Sequence, residues 1–305
     1  MHSFTRRQAL ALPALAAFSR RAQAIPLERI RLGVTTDEID EDLLQAIEFL
    51  KGFGLHWAEL RSVWGKYNTA QPVEKIREAR ALLDQHKIRT AALGTAFFKV
   101  PLPPDSAAGR PALDEQWKLL DAAMERAAIL GTDTLRIFAF TYKGAAADQS
   151  HYPRIEELLQ EAARRAKPRR MRLAVENVAA SYVSTAPEAA RVLKAVQDPA
   201  LGLTWDPNNA AASGEKSPFP DGFRLLDPAR ILHVHLRDYQ HTPDGKVVWC
   251  AAGDGEFDNT GQIRALLKAG YKGAFTLETH YRHPRGKAHA SRLSLTGLLK
   301  AIQKA

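Results

Sequence analysis

Cysteine is almost absent from this sequence, since Cys250 is the only one in 305 residues. A single cysteine excludes an internal disulfide and any cysteine-rich metal site, and its expected role is that of a small buried hydrophobic side chain. The sequence also lacks an apolar run of about eighteen residues or more, which a membrane-spanning helix needs. We therefore expect a globular protein with a large packed core and no stable membrane anchor.

Strong charge of one sign is also missing. The formal net charge is +9, but four arginines precede Ala24, where there is no acidic residue, so removing them leaves about +5. The one basic run, residues 164–170, ends a predicted helix, where cations are favoured. The glycine-rich motifs of dinucleotide and phosphate binding do not occur. The composition therefore gives no support to a nucleic-acid partner.

The first residues resemble an export signal rather than part of a fold. Residues 5–10 resemble the twin-arginine pattern, an apolar run follows over 9–18, and residues 22–24 fit the small-x-small cleavage rule. An ordinary N-terminal helix is the alternative. We expect residues 1–24 to be a twin-arginine signal, the folded domain to cover 25–305, and the mature protein to be periplasmic or otherwise exported.

Eight short apolar segments predict β-strands, and segments with apolar residues at helical spacing alternate with them. The predicted strands are Ile30–Thr35, His56–Arg61, Ile88–Leu93, Thr134–Ala139, Leu173–Asn177, Leu203–Asp206, His233–Asp238 and Phe275–His280. The predicted helices are Ile39–Phe53, Pro72–His86, Leu113–Leu130, Arg154–Ala166, Pro187–Val196, Gln262–Ala269 and Leu293–Gln303. This alternation indicates a parallel α/β fold.

Two architectures fit that alternation, a closed (β/α)8 TIM barrel and an open doubly wound sheet. The count of eight favours the barrel, and so do polar strand ends that occur on four successive strands rather than at one switch point. Between the seventh strand and the next helix, residues 238–255 predict a hairpin with its turn at Pro243-Asp244-Gly245. We predict a single TIM barrel.

The last four predicted strands each carry, in their C-terminal part, a side chain that can bind a metal: Glu176, Asp206, His235 and Glu278. Side chains alternate between the two faces of a strand, so these four share a face opposite the apolar residues. Capping of the following helices is the alternative role. Three carboxylates and one imidazole suit one divalent ion such as Mn²⁺, Mg²⁺, Co²⁺ or Zn²⁺.

These motifs resemble the xylose isomerase-like TIM barrels, the superfamily of sugar phosphate isomerases and epimerases, inosose dehydratases and AP endonuclease family 2. The matching residues are Glu176-Asn177, Asp206, the His-x-His-Leu-x-Asp of 233–238, the Gly-x-Gly-Glu-Phe of 253–257 and Glu278. The resemblance covers essentially the whole chain after residue 24. It is specific for the superfamily and says little about the substrate.

The resemblance implies that Glu176, Asp206, His235 and Glu278 hold one metal ion, and that Glu176 and Glu278 exchange protons with a sugar. The metal would stabilise the enediolate formed when a carbon next to a carbonyl loses its proton. We therefore expect an isomerase or epimerase of a sugar or polyol ketone. A dehydratase or lyase using the same site is one alternative, and a non-catalytic sugar-binding protein is another.

Further roles follow from position along the strands. Arg237 and His280 lie two residues beyond His235 and Glu278, and we expect them, with Glu59 and Asn209, to contact the substrate. We expect Asn177 and His233 to orient the metal ligands.

The sequence departs from the resemblance after strands two, three, five and six. Val178 follows Glu176-Asn177 where many members have a histidine. Asn209 stands where many members have a histidine, and no histidine occurs in 59–61 or 93–96, where the trinuclear endonucleases need them. A nuclease is therefore disfavoured. The identity of the sugar, the native metal and any homo-oligomer are left open.

Overall fold

The computed structural model describes residues 30–144 and 146–305. The expected export signal and its cleavage position lie outside these residues. No helix in the described ranges combines the length and the apolar character needed to cross a membrane.

The described chain contains twelve strands, eight of which form a closed parallel barrel. The strands are β1 (Arg31–Thr35), β2 (Trp57–Leu60), β3 (Ser62–Val63), β4 (Lys66–Tyr67), β5 (Arg89–Gly94), β6 (Thr134–Ile137), β7 (Arg172–Glu176), β8 (Leu201–Trp205), β9 (Ile231–Leu236), β10 (Asp238–His241), β11 (Val247–Cys250) and β12 (Ala274–Leu277). The barrel order is β1-β12-β9-β8-β7-β6-β5-β2, which confirms the predicted TIM barrel.

Helices follow the barrel strands along the chain. They are α1 (Leu43–Gly52), α2 (Val73–Gln85), α3 (Arg110–Leu130), α4 (Tyr152–Ala166), α5 (Ala186–Ala195), α6 (Pro207–Ala212), α7 (Asn259–Lys268) and α8 (Lys287–Lys304). Local capping determines where these helices end, as the C-terminus of α3 shows. Gly131 adopts a left-handed conformation with φ 74°, and its N–H bonds the carbonyls of Ala127 and Ala128.

Three helices differ from the sequence expectation by four residues or more. Helix α1 begins at Leu43 rather than at the predicted Ile39, because the Asp42 side chain caps it by accepting the N–H groups of Leu44 and Gln45. The six-residue helix α6 was not predicted, because Pro-Asn-Asn-Ala-Ala-Ala has no apolar periodicity; the Asp206 side chain caps it instead. Helix α8 begins at Lys287, six residues before the predicted Leu293. Its first turns bury only small residues, Ala290 and Ser291, which the apolar spacing does not reveal.

The barrel strands bury both faces, as expected for a parallel barrel. The apolar residues predicted to share one face, such as Leu203, Trp205 and Phe275, are at most 1% exposed and belong to the main hydrophobic core. The alternating residues are polar and equally buried, among them Thr204 and His235. Because the second set faces the barrel axis, the interior of the barrel carries the polar groups.

The hairpin predicted after the seventh barrel strand is confirmed. Strands β10 and β11 pair antiparallel, and Gly245 in the turn has φ 79°. Cys250 lies at the end of β11 and is half-buried rather than fully buried. Burial raises the pKa of its thiol to about 12, so the thiol is protonated and unreactive at neutral pH.

Candidate active site

The four predicted metal ligands converge at the C-terminal mouth of the barrel. Glu176 ends β7, Asp206 follows β8, His235 lies in β9 and Glu278 follows β12. One ligand atom from each lies within 4.8 Å of the others, and all four residues are buried. The structure thus brings together residues that span more than a hundred positions of sequence.

His235 provides the test of whether a metal fits. Its Nδ1 atom lies 3.4 Å from Glu176 Oε1, 3.4 Å from Glu278 Oε2 and 3.9 Å from Asp206 Oδ2. This nitrogen is buried and has no hydrogen-bond partner within the described part of the chain. When its proton is displaced by a cation, an imidazole nitrogen facing three carboxylate oxygens is a donor set for a divalent ion. The residues therefore fit one such ion.

Asp206 is oriented by the first turn of α6. Its Oδ1 accepts the backbone N–H groups of Asn208 and Asn209, both at 2.9 Å, which leaves Oδ2 to face the cluster. Asn177 fixes the backbone of Asp206 by bonding its N–H at 2.8 Å and its carbonyl at 2.7 Å. Asn177 thus lies where an orienting residue would lie.

Asn209, the expected substrate contact, lies against the cluster. Its side-chain amide donates to Glu176 Oε1 at 3.2 Å and to the carbonyl of Asn177 at 3.0 Å. Only 6% of Asn209 is exposed. In this position it supports Glu176, and a contact with the substrate stays a prediction.

Glu59, also expected to contact substrate, lies inside the barrel below the cluster. Its Oε2 accepts from Nε2 of His235 at 2.8 Å and from Nε2 of His233 at 3.0 Å, and the residue is fully buried. These bonds favour a role in orienting His235 over a contact with substrate, because a carboxylate behind a ligating histidine fixes its ring and tautomer. The sequence did not reveal this partnership.

The charges of Glu59, His233 and His235 shift one another's pKa values. Burial alone would raise the pKa of Glu59, but the charge of His235 and the hydrogen bond from His233 hold the pKa well below its usual range. Burial alone would lower the pKa of His235. The negative charges of Glu59 and Glu278 outweigh burial and raise the pKa well above its usual value. Glu59 is therefore an anion beneath the site.

Three arginines surround the ligand carboxylates. Arg237 donates to Asp206 Oδ2 from Nε at 3.0 Å and from Nη2, and its Nη2 also reaches Glu278 Oε2 at 3.0 Å. It is 1% exposed, and its guanidinium carbon lies 4.7 Å from the ring centroid of Trp249 in β11. Arg237 was expected to contact substrate, and the structure places it between two ligands and the hairpin.

The other two arginines were not assigned to the site from sequence. Arg61 donates to Glu278 Oε1 at 2.7 Å and also pairs with Asp37 and Glu38. Arg136, in β6, places Nε 3.3 Å from Glu176 Oε2. The only sequence indication for Arg136 was that it alternates with the apolar Leu135 and Ile137, which places it on the inward face.

These cations keep both predicted proton carriers ionised. Burial raises the pKa of Glu278, but the positive charges of His280, His235 and Arg237 outweigh it and hold the pKa well below the usual range. For Glu176, burial is likewise outweighed by Arg136, and the pKa is lowered. Both carboxylates are available to bind a cation or accept a proton.

A cavity of about 740 Å³ opens at the mouth beside Glu278. Its lining includes Arg61, Trp249 and His280. The side chain of His280 is 36% exposed, and its Nε2 lies 3.5 Å from Glu278 Oε1. His280 therefore borders both the cavity and the ligand cluster, the place expected of a substrate contact.

A family model described as Xylose isomerase-like TIM barrel matches residues 47–298. The chain belongs to this family. This agrees with the closed barrel and with the positions of the four ligands at strand ends five to eight. The buried Glu–Asp–His–Glu cluster of this xylose isomerase-like barrel is consistent with a divalent metal site.

Known proteins show how far the likeness reaches. A mannonate dehydratase from Saccharophagus degradans is 32% identical over 109 residues, which make up 36% of this chain and only 25% of that relative. The solved structure of the IOLI protein with a binding zinc atom has a TM-score of 0.72 at 18% identity, covering 90% of this chain and 99% of that one. A D-allulose 3-epimerase from Methylomonas sp., solved with D-allulose, has a TM-score of 0.69 at 17% identity, covering 91% and 98%. At such identities the structural likeness shows the fold.

Proposed function

We propose that this protein is a metal-dependent isomerase or epimerase of a sugar or polyol ketone. The observation that carries the proposal is the buried His235 Nδ1, which has no hydrogen-bond partner in the described ranges and faces the oxygens of Glu176, Asp206 and Glu278. The IOLI protein with its binding zinc atom and the D-allulose 3-epimerase support the metal and the substrate class.

In this proposal the two glutamates carry the protons. A bound divalent ion would supply positive charge beside the oxygen that becomes negative when a carbon acid ionises. Both glutamates are held as carboxylates by neighbouring cations, so Glu176 or Glu278 can remove a proton from the carbon next to the carbonyl. The other glutamate first takes a proton from water and then returns it to that carbon. Arg237, His280 and Asn209 are the proposed substrate contacts, and Asn177 and His233 orient the site.

A dehydratase acting through the same ionised intermediate is the second candidate. The mannonate dehydratase that matches 36% of the chain supports it, because loss of a β-hydroxyl begins with the same proton removal. The product distinguishes the two reactions, since a dehydratase releases water and an epimerase does not.

We also propose that the protein acts outside the cytoplasm. This proposal rests only on the resemblance of residues 1–24 to an export signal.

Replacement of a proton carrier tests the proposal. Glu278→Gln should retain much of the metal binding, because the amide oxygen can still act as a ligand, but it should lose deuterium exchange into ketoses by about 10²- to 10⁴-fold. Metal binding is measured by calorimetry with Mn²⁺, and exchange by NMR in D₂O.

The matched control is Glu41→Gln. Glu41 is an exposed glutamate that pairs with Lys287, and it lies on the same side of the barrel as Glu278. The control should exchange like the unaltered protein. A Glu278→Gln variant with full exchange activity would remove Glu278 as a proton carrier. Metal binding and sugar binding without exchange in the unaltered protein would favour the non-catalytic binding protein.

A further inference from the structure

Arg136 in β6 has no part of its own in the proposed reaction, although it lies inside the barrel beside two carboxylates. Its Nε lies 3.3 Å from Glu176 Oε2 and 3.9 Å from Glu59 Oε1. Arg136 is 1% exposed, and both glutamates are buried. It does not belong to the described residues that line the cavity at the mouth. Arg136 is therefore placed to act on the carboxylates rather than on a substrate.

Glu59 and Glu176 lie on opposite sides of the His235 ring. Glu59 Oε2 accepts from Nε2 at 2.8 Å, and Glu176 Oε1 lies 3.4 Å from Nδ1. Arg136 approaches the other oxygen of each carboxylate, Oε1 of Glu59 and Oε2 of Glu176. The four side chains thus form a ring in which His235 and Arg136 each link the same two carboxylates.

Metal binding would leave Arg136 as the direct link between the two carboxylates. In a loaded site the ion lies between His235 Nδ1 and Glu176, so the ring nitrogen no longer faces that carboxylate alone. The contacts of Arg136 lie on the far side of both glutamates and would persist. Because a buried carboxylate is costly without a partner, both glutamates would then depend on this guanidinium.

The position of Arg136 is itself well defined. Its Nη1 donates to the carbonyl of Thr95 at 3.3 Å, and its guanidinium carbon lies 4.8 Å from the ring centroid of Phe138. The hydroxyl and the N–H of Thr95 both donate to the Arg136 carbonyl, at 2.8 and 3.1 Å. The backbone and the guanidinium of Arg136 are therefore both held in place.

Gly94 in β5 provides the space in which the charges meet. A Cβ atom at this position would lie 2.7 Å from Arg136 Nη2 and 3.2 Å from Glu59 Oε1. Both atoms are buried, so neither can move away into solvent. A side chain at residue 94 would therefore displace the guanidinium or the carboxylate.

We propose that Arg136 is a positioning residue of the metal site, whose single guanidinium fixes Glu59 and Glu176 on the two sides of His235. It contacts neither the substrate nor the ion, and it acts through Glu176, the proposed proton carrier. This inference rests on the proposed function, since it assigns a further residue to the same site.

The stability of the metal-free protein tests the link between the charges. Arg136→Met keeps a long side chain but leaves two buried carboxylates without their guanidinium. We expect the urea midpoint of the chelator-stripped protein to fall by about 1 M or more. In a Glu59→Gln background the same substitution should lower the midpoint by about half as much or less, because one of the two carboxylates is already neutral.

Two further variants complete this test. Arg136→Lys keeps the charge and should recover a large part of the lost midpoint. Arg164→Met removes an arginine with a 64% exposed side chain on α4 and should leave the midpoint unchanged. An equal effect of Arg136→Met in the two backgrounds would overturn the proposal.

Gly94→Ala tests the position of the guanidinium without changing any charge. We expect a changed electron paramagnetic resonance spectrum of bound Mn²⁺, because the zero-field splitting of this ion depends on the arrangement of its ligands. Turnover in the deuterium-exchange assay should fall by about 10²-fold, while KM should stay within about threefold, because a misplaced proton carrier slows the chemical step.

Gly52→Ala is the matched control, because nothing lies within 4 Å of a Cβ added there, and its spectrum and turnover should match those of the unaltered protein. An unaltered Mn²⁺ spectrum in Gly94→Ala would overturn the positioning role.

The two proposals can fail separately. Coupling between Arg136 and Glu59 with a changed Mn²⁺ spectrum, but without exchange on any ketose, would keep the positioning role and remove the proposed reaction. Exchange that is unaffected by Gly94→Ala, with equal effects of Arg136→Met in both backgrounds, would keep the reaction and remove the role of Arg136.

Discussion

Two of the four candidate ligands, His235 and Asp206, depend on a group behind them that fixes one of their atoms. His235 has Glu59 on Nε2 at 2.8 Å, and Asp206 has the N-terminus of α6 on Oδ1. In both cases the bond leaves the opposite atom directed at the other ligands. The geometry of the cluster is therefore set by groups that do not belong to it.

Replacing Glu59 tests this dependence. Glu59→Gln keeps the size of the side chain but removes the negative charge that accepts from His235 and His233. We expect the affinity for Mn²⁺ to fall by about 10- to 100-fold, as is typical when the partner of a ligating histidine is lost. Calorimetry gives the affinity, and circular dichroism checks that the barrel is retained.

Glu48→Gln is the control, because the side chain of Glu48 is 51% exposed on α1, and it should bind Mn²⁺ as the unaltered protein does. An unchanged affinity in Glu59→Gln would show that His235 needs no carboxylate behind it.

At this scale the sequence predicted which residues face the barrel axis but not what they contact. Alternation along a strand identifies a face, so the four ligands could be assigned. Depth along the axis and contacts between distant residues are not encoded in that pattern. Glu59 therefore was expected to contact substrate, and the bond between Arg61 and Glu278, which are 217 positions apart, was not expected.

Among the elements, the hairpin of β10 and β11 shapes the mouth of the barrel. Trp249 in β11 lies over Arg237, and the chain returns to the barrel through residues 251–258. Asp238 organises this return. Its carboxylate accepts the backbone N–H groups of Gly253 at 2.9 Å and Phe257 at 3.0 Å, and more weakly that of Gly255 at 3.3 Å.

Asp238→Asn should weaken this loop. The amide presents an N–H₂ group to backbone donors that need an acceptor, and leaving such donors unpaired costs about 1–3 kcal/mol. We expect the free energy of unfolding to fall by that amount in a denaturant titration. Asp254→Asn, at an exposed position of the same loop, should unfold like the unaltered protein. Equal stability of the two variants would contradict the role given to Asp238.

The elements themselves were largely predictable. All eight barrel strands and the hairpin were expected within a few residues, because apolar runs and the Pro-Asp-Gly turn are local features. The first residues of the helices were predicted less accurately than the strands. Helix α6 and the first turns of α8 were missed because capping by Asp206 and the burial of small residues leave no apolar period in the sequence.

For the whole molecule, closure of the barrel is what completes the site. Strand β1 pairs with β12 and with β2, so residues from the start and end of the chain meet at the mouth. Glu38 accepts the backbone N–H of His280 at 3.1 Å, and Arg61 reaches Glu278. The eight-strand count predicted this closure, while the ion pairs across it could be found only in three dimensions.

The central claim, that a divalent ion in this cluster supports proton exchange on a sugar, has one most direct measurement. The protein is stripped with a chelator, reloaded with Mn²⁺ and incubated in D₂O with a panel of ketoses, 3-keto-sugars and sugar acids, while NMR follows deuterium next to the carbonyl. The account predicts exchange that disappears on stripping and returns on reloading, because the metal stabilises the ionised carbon acid. Exchange that persists in the stripped protein, or none on any compound with Mn²⁺ demonstrably bound, would contradict it.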